Sequence, residues 1–448
     1  MLNKFIKIKN YEIHKLNYEN PIEVFENHAH QYGSVVLTGK GDESNSRFSM
    51  IGFLPNFEMV YDGYDVLVNG DPVAGTVWNI WHRLLHESAF HELEYPASLC
   101  GFVGFASYEL GKGLEFLPKT TIDSYTMPVI QLLTYENYII FDHSNREVWH
   151  INFNYESTYK KIIQKVVDQS FEIFNIQPEA NREEYKNKVT RIKNYILEGD
   201  VYEVNLTQQI KADFNGDGFS LFKRLYSKND APYSCYFNLD RLQIVSNSPE
   251  LFLKAIGKSV ETRPIKGTIS RSDDPVLDNI NKGTLLNSEK DQAELFMIID
   301  LLRNDLGKVS NIGSVKVINS KKLECFKNVF HLVGIVESEL SRDHDYIDLI
   351  RATFPGGSIT GCPKIRSMEI IDELETYTRN LYTGSIFIMN REFLNSSIVI
   401  RTAVIKDQEI FINSGGAITI DSDPEQEYQE MTEKIKNIME SLGNDCFS

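Results

Sequence analysis

Short strand-like runs recur through the second half of this 448-residue chain, at 201–210, 241–256, 314–319, 383–389, 396–405 and 409–413. Helical patterns separate several of them, and others follow one another in hairpin order. A chain with that many adjoining strands builds mixed α+β layers rather than a doubly wound parallel sheet. The helical pattern sharpens where the series begins. Tyr185, Val189, Ile192 and Ile196 recur at helical spacing, and Gly199 stands where a C-terminal cap belongs. Residues 156–175 read as an amphipathic helix with Tyr159, Ile162, Ile163 and Val166 on one side, and the polar patch Gln177-Pro178-Glu179-Ala180-Asn181 reads as a linker. The first 150 residues mix strand-like runs (34–37, 48–52, 129–141) with turns, and Asn20-Pro21 reads as a helix start. The expected organisation is therefore an N-terminal region over 1–150, a helix and linker over 151–182, and a main unit over 183–440.

Charge excludes several classes of partner. Lys and Arg number 46 against 63 Asp and Glu, a net charge of −17, which repels phosphate backbones and anionic lipid. No nucleic-acid or membrane partner is expected. With 26 Phe, 22 Tyr and 3 Trp the chain has ample core material. The opening MLNKFIKIKN lacks the apolar stretch of a secretion signal, and no run approaches the roughly 18 apolar residues of a membrane span. Cysteines stand at 100, 235, 325, 362 and 446 with no C-x-x-C pair, so neither a disulfide framework nor a zinc site is indicated. A cytoplasmic protein is expected.

Two predicted helices carry paired carboxylates. Ser288 with Asp291 approximates a capping box, Leu295, Ile298, Leu302 and Leu306 form a buried stripe, and Asp291 and Glu294 share a face. Near the C-terminus, Asp423-Pro424-Glu425-Gln426 starts a second helix, with Tyr428, Met431, Ile435 and Ile438 on its apolar side. Glu427, Glu430 and Lys434 line the adjacent face. Converging, the two pairs suit a hard divalent cation such as magnesium, which takes a few carboxylates plus water and a substrate oxyanion. Taken alone, each pair reads as a solvated helix face, because such spacing is common; only the two together suggest a metal.

Phe354-Pro355-Gly356-Gly357-Ser358-Ile359-Thr360-Gly361-Cys362-Pro363-Lys364 is the most unusual stretch. Small residues run into a helix opening at Pro363, with Met368, Ile371 and Leu374 on its apolar face. That makes it either a tight strand-to-helix turn or an anion site assisted by Lys364. The Lys-Ser/Thr pair of a Walker loop is missing. Ser414-Gly415-Gly416-Ala417, after the strand 409–413, is a second place where backbone can approach a ligand closely. Lys266, in Arg263-Pro264-Ile265-Lys266-Gly267-Thr268, is either an exposed turn residue or, in a poorly solvated pocket, a nucleophilic amine that has lost its proton. His331 and Arg401 are single polar residues in apolar strands, each with a structural or a ligand partner.

Together these segments resemble the chorismate-utilising enzymes, and within them aminodeoxychorismate synthase component I. The matching motifs span roughly 183–440: Ser248-Pro249-Glu250-Leu251-Phe252, Arg263–Thr268, Asp300-Leu301-Leu302-Arg303-Asn304-Asp305, Gly356–Lys364, Ile400-Arg401-Thr402 and Glu427-Tyr428-Gln429-Glu430. The first 150 residues resemble that family's N-terminal region more weakly. The resemblance implies a layered α/β/β/α fold of two large, mostly antiparallel, orthogonally packed sheets flanked by helices. It implies one site in which Glu294 and Glu430 hold Mg2+ directly, with Asp291 and Glu427 contacting it through water. Lys434 and the Gly415-Gly416 turn match contacts to the ring carboxylate of chorismate, Arg401 and Tyr382 those to the enolpyruvyl carboxylate. His331 and Thr360 match residues near the ring and its C4 hydroxyl. Glu250 matches a general acid.

Lys266 separates the branches. Anthranilate synthases look like Pro-Ile-Ala-Gly-Thr at this turn, whereas the aminodeoxychorismate branch has a lysine proposed to attack C2 before ammonia adds at C4. The resemblance therefore implies chorismate and ammonia as substrates. An anthranilate synthase component and a catalytically silent regulatory subunit that binds chorismate or tryptophan are the alternatives. The loop after Thr268 departs from the family's usual Arg-Pro-Arg-Gly, the third glycine of the late turn is Ala417, and Cys362 replaces the usual Ala. No cysteine sits in a Gly-x-Cys-x-Gly turn, so a separate glutamine amidotransferase (component II) is the expected source of ammonia.

Overall fold

The computed structural model describes residues 11–40, 46–153, 170–228 and 231–441. Its strands form one continuous hydrogen-bonded network of 22 members. The network is organised by two long strands, Phe48–Tyr61 and Ile130–Asp142, which pair antiparallel along nearly their whole length with an irregularity between Pro55 and Phe57. Long paired strands twist, and this pair passes from one sheet into the other.

At one end, Phe48–Tyr61 pairs with Val35–Thr38, which leads in turn to Tyr233–Leu239, Leu242–Ser248, Thr402–Lys406, Glu409–Ile418, Glu203–Gly216 and Phe171–Pro178. At the other end, Ile130–Asp142 pairs with Phe102–Ala106, which leads to Ser385–Met389, Phe393–Ile398, Leu251–Ile256, Ser259–Arg263 and Val329–Glu339, with Ile265–Ser270 and Lys316–Cys325 beside the last. All of these pairings are antiparallel.

Alternation along the strands shows the layers. Val103, Phe105, Ile386 and Ile388 from one sheet meet Cys235, Phe237, Ile244 and Val404 from the other in a shared inner core. The intervening residues point outward. Phe102, Ala106, Phe387 and Met389 pack with Ile80, Trp81, Leu84, Leu295, Ile299 and Ile350, from helices Val77–Glu87, Glu289–Gly307 and Tyr346–Thr353. Tyr236, Val245, Ala403 and Ile405 pack with Tyr185, Val189, Phe222, Ile371, Met431 and Ile435, from helices Arg182–Leu197, Gly218–Lys228, Lys364–Leu374 and Pro424–Ser441. The order is helix, sheet, sheet, helix, the α+β fold that the resemblance implied.

Most of the helix expected over 156–175 lies outside the described residues. Its last part forms a strand instead: Phe171–Pro178 pairs antiparallel with Glu203–Gly216. The polar patch expected as a linker is the end of that strand followed by a helix cap. Asn181 accepts from the amides of Glu183 and Glu184, and Glu184 reciprocates in a capping box. Among the described residues no helix is long and apolar enough to cross a membrane.

Candidate active site

Lys266 lies on Ile265–Ser270, opposite Leu332, and the pairing slips at Gly267. Gly267 has φ +72°, and a Cβ there would stand 2.8 Å from Cγ of Asp291. Glycine thus lets the helix Glu289–Gly307 press its acidic end against the chain beside Lys266. The ammonium of Lys266 is 8% exposed and donates to Oε1 of Glu203 at 2.7 Å. Glu203 opens the strand Glu203–Gly216 and is fully buried. Burial pulls the Lys266 ammonium toward neutrality, but the carboxylates of Glu203, Glu294 and Glu250 outweigh burial and hold its pKa above the ordinary lysine value. The sequence reading of an uncharged amine is therefore corrected. Its partner Glu203 was missed: the stretch around it, Val201-Tyr202-Glu203-Val204-Asn205-Leu206, mixes polar and apolar residues and does not single out one acid.

Glu294 is 9% exposed, and burial pushes its carboxyl up to about 7. Lys266 and Lys290 oppose the shift, whereas Glu203 and Asp291 add to it. Its Oε1 and the Oε2 of Glu203 are buried with no hydrogen-bond partner. Lys290 spans the two acidic helices, 4.0 Å from Glu294 and 3.7 Å from Glu427. Glu427 also accepts from the Ser422 hydroxyl at 2.6 Å. Glu430 keeps more than half of its side chain in solvent and pairs with Lys434 at 2.7 Å; partial desolvation by its neighbours raises its carboxyl, but Lys434, Lys290 and Lys266 together bring it below the ordinary glutamate value. Ammonium groups thus stand among acids drawn from both helices. An all-oxygen donor set with orphaned buried oxygens suits a hard divalent cation. The acids face one region without closing to a common point, because no three of them bring ligand atoms within 4.8 Å of one another.

Another cation, Arg401, acts on Glu250 and His331. Arg401 does not continue a strand as the sequence suggested; it sits at the break between Phe393–Ile398 and Thr402–Lys406 with φ +51°. Its guanidinium makes no hydrogen bond or ion pair with any described residue. Burial lowers its pKa, and Glu250 is the charge acting against that. Glu250, 4% exposed, is pushed up by burial to about 7, with Ser358, Lys266, the Ile265 amide and Arg401 opposing the shift. His331 is buried and neutral, its pKa brought to about 3 by burial and by Arg401; its Nδ1 meets the Thr268 hydroxyl at 2.7 Å. Burial, with a smaller contribution from Glu250, raises the phenol of Tyr382. Thr360 is fully buried, donates to the Gly356 carbonyl at 3.0 Å, and accepts from the Asn205 amide at 2.9 Å.

Gly415 and Gly416 are strand residues rather than a turn, opposite Thr207 and Leu206. A Cβ on Gly415 would stand 2.1 Å from the Leu206 carbonyl, whereas one on Gly416 would meet Oε2 of Glu427 at 3.5 Å and Nζ of Lys434 at 3.7 Å. Lys434 also donates to the Gly415 carbonyl at 3.0 Å. Buried Arg379, absent from the sequence reading, ties this side together: it donates to Glu375, to Ile359 O at 2.8 Å and to Asn205 O at 2.7 Å.

One expected group lies outside the cluster. Lys364 donates to Oδ2 of Asp305 at 2.6 Å and to the Thr353 carbonyl at 2.7 Å, so it neutralises a buried acid and is not free for an anion. Its helix begins at Lys364, with Pro363 at the cap. The structure thus brings Lys266, Glu250, Arg401, Tyr382, His331, Thr360, Gly415, Gly416, Lys434, Glu294, Glu430, Asp291 and Glu427 to one region.

The family model described as chorismate binding enzyme matches residues 42–440. Aminodeoxychorismate synthase component 1 of Escherichia coli (strain K12) is 38% identical over 423 residues, covering 92% of this chain and 93% of that one. Anthranilate synthase component 1 of Aquifex aeolicus is 33% identical, covering 79% and 76%. Among solved structures, anthranilate synthase component I from Streptococcus pneumoniae superposes with a TM-score of 0.79 at 27% identity, covering 88% of this chain and 92% of that one. A family match over most of the length, joined to a relative of that identity and coverage, establishes that the chain belongs to the chorismate binding enzyme family.

Proposed function

We propose that this chain aminates chorismate at C4 with ammonia, giving 4-amino-4-deoxychorismate for 4-aminobenzoate and folate synthesis. One observation carries the reading: a buried lysine amine held between Glu203, Glu250 and Glu294. Glu203 takes a proton from the Lys266 ammonium. The freed amine attacks C2, the two conjugated ring double bonds each shift by one position toward C4, and the C4 hydroxyl departs with a proton from Glu250 as water. Ammonia then adds at C4, the electrons shift back, and the bond between C2 and the lysine nitrogen breaks to return the amine. The enolpyruvyl group is retained. Proton delivery by a positioned acid is worth roughly 10² to 10⁴-fold.

In this reading Arg401 and Tyr382 hold the enolpyruvyl carboxylate, and its charge supplies the partner that the Arg401 guanidinium lacks. Lys434 and the backbone at Gly415 and Gly416 receive the ring carboxylate, and His331 and Thr360 line the ring. Glu294 and Glu430, with Asp291 and Glu427 around them, hold magnesium, which supplies positive charge against that carboxylate when bound. The relatives named component 1 support a second component, which in this reading is a glutamine amidotransferase that delivers ammonia. The proposed compartment is the cytoplasm.

The test is incubation of the purified chain with chorismate, ammonium and magnesium, followed by mass identification of the product. Aminodeoxychorismate without pyruvate release is expected. Anthranilate with pyruvate would overturn the proposal in favour of the activity named for the Aquifex relative. Lys266→Ala is expected to abolish amination without unfolding the chain, a strong chelator to stop it, and the chain alone to leave glutamine intact.

A further inference from the structure

Away from this cluster, two helices far apart in the sequence bring together His82, His86 and Asp345. His82 and His86 lie one turn apart on Val77–Glu87, their rings nearly parallel, 7° apart with centroids 6.3 Å from each other. Asp345 caps the helix Tyr346–Thr353. Its Oδ1 accepts from the amides of Ile347 and Asp348 at 2.8 and 3.2 Å, which leaves Oδ2 facing the histidines. Nδ1 of His82 and Nε2 of His86 both stand 2.7 Å from that one oxygen. Among the described residues this is the one set of three or more His, Cys, Asp or Glu side chains with ligand atoms within 4.8 Å of one another.

We propose that His82, His86 and Asp345 form a binding site for a divalent transition-metal ion of the zinc class, clipping the N-terminal region to the helix that follows the strand Val329–Glu339. The donor set is two imidazoles and a carboxylate, which favours zinc, cobalt or nickel over magnesium. The surroundings are those of a supported ligand. The other ring nitrogen of His82 lies 3.5 Å from Oδ1 of Asp348, and Asp348 is itself held by the Asp345 amide at 3.2 Å and approached by His344 at 3.4 Å. A carboxylate behind a metal-bound histidine fixes its tautomer and raises its basicity. Tetrahedral ligands at about 2.0–2.1 Å from zinc stand roughly 3.3 Å apart, so the 2.7 Å contacts need to open by about half an ångström. The histidine side chains, 29% and 45% exposed, have room for that, and the exposed side leaves a place for water as fourth ligand. Both helices are anchored in one apolar core through Ile80, Trp81 and Leu84 on one and Ile347, Leu349 and Ile350 on the other, so their donors stay in register.

The experiment titrates the metal-free full chain with Zn2+, and in parallel with Co2+ read by its visible spectrum, in millimolar Mg2+. One equivalent of Zn2+ is expected to bind and to raise the melting temperature. His86→Gln, and Asp345→Asn, which keeps the helix cap, are each expected to weaken binding at least tenfold while catalytic rates stay unchanged. Failure of the wild-type chain to take up Zn2+ would overturn the proposal. So would equal uptake by His86→Gln and Asp345→Asn, or loss of uptake in Glu294→Gln, which would place the ion among the carboxylates instead.

Discussion

Lys266 is stored as an ammonium in a pocket that burial alone would make hostile to charge, and Glu203 reverses the balance. Replacing that acid tests its role. Glu203→Gln keeps a hydrogen-bond acceptor but cannot take a proton, so kcat for amination with ammonium is expected to fall about 10²-fold with the fold intact; an unchanged kcat would remove Glu203 from the reaction. Glu250 gives a pH signature. Its carboxyl is pushed up to about 7, and an acid must be protonated to donate. The rate is therefore expected to fall about tenfold per pH unit above 7, from loss of the protonated form, and Glu250→Gln to remove both the activity and that limb. A profile still rising at pH 8 would contradict the role. The sequence, with the family resemblance, pointed to Lys266 and Glu250 but not to the charge of the first, because its counter-ion is 63 residues away and the shift depends on what packs around it.

Among the elements, legibility followed range only in part. The helix start at Ser288 involves residues three apart and was readable, whereas the equally local capping box at Asn181 lay inside the patch read as a linker. The break at Arg401 was not readable, because a continuous apolar run hides a single left-handed residue. Gly415-Gly416 looked like a turn because glycine is common there, yet both are paired in a strand whose neighbour, 203–216, is about 200 residues earlier. The two glycines differ in what a methyl would meet, and this separates stability from binding. Gly415→Ala drives Cβ into the Leu206 carbonyl and is expected to cost about 1–3 kcal/mol, seen as a lower melting temperature. Gly416→Ala leaves ordinary contacts to Glu427 and Lys434, so it is expected to keep the melting temperature and raise KM for chorismate. Equal melting temperatures for the two variants would show that the strand yields at Gly415.

At the scale of the molecule, the division of the sequence at 150 and 183 is crossed by the sheets themselves. Val35–Thr38 pairs with Tyr233–Leu239, and Phe102–Ala106 pairs with Ser385–Met389, so each sheet contains strands from both ends of the chain. The inner core likewise mixes Val35, Phe105 and Leu133 with Phe237, Ile386 and Val404. Removing the first 150 residues would expose the edges of 233–239 and 385–389 and strip half of that core. The three tryptophans, at 78, 81 and 149, all lie in the N-terminal stretch, so their fluorescence reports that part, whereas far-ultraviolet circular dichroism reports the whole. If the shared sheets make the described layers one cooperative unit, the two signals change together in denaturant with the same midpoint. A tryptophan transition that runs ahead of the dichroism would mean that the N-terminal strands peel away first and that their pairing contributes little to the stability of the rest. The same measurement on a chain cut between 150 and 183 adds a second check, since shared sheets predict that neither piece regains native dichroism alone.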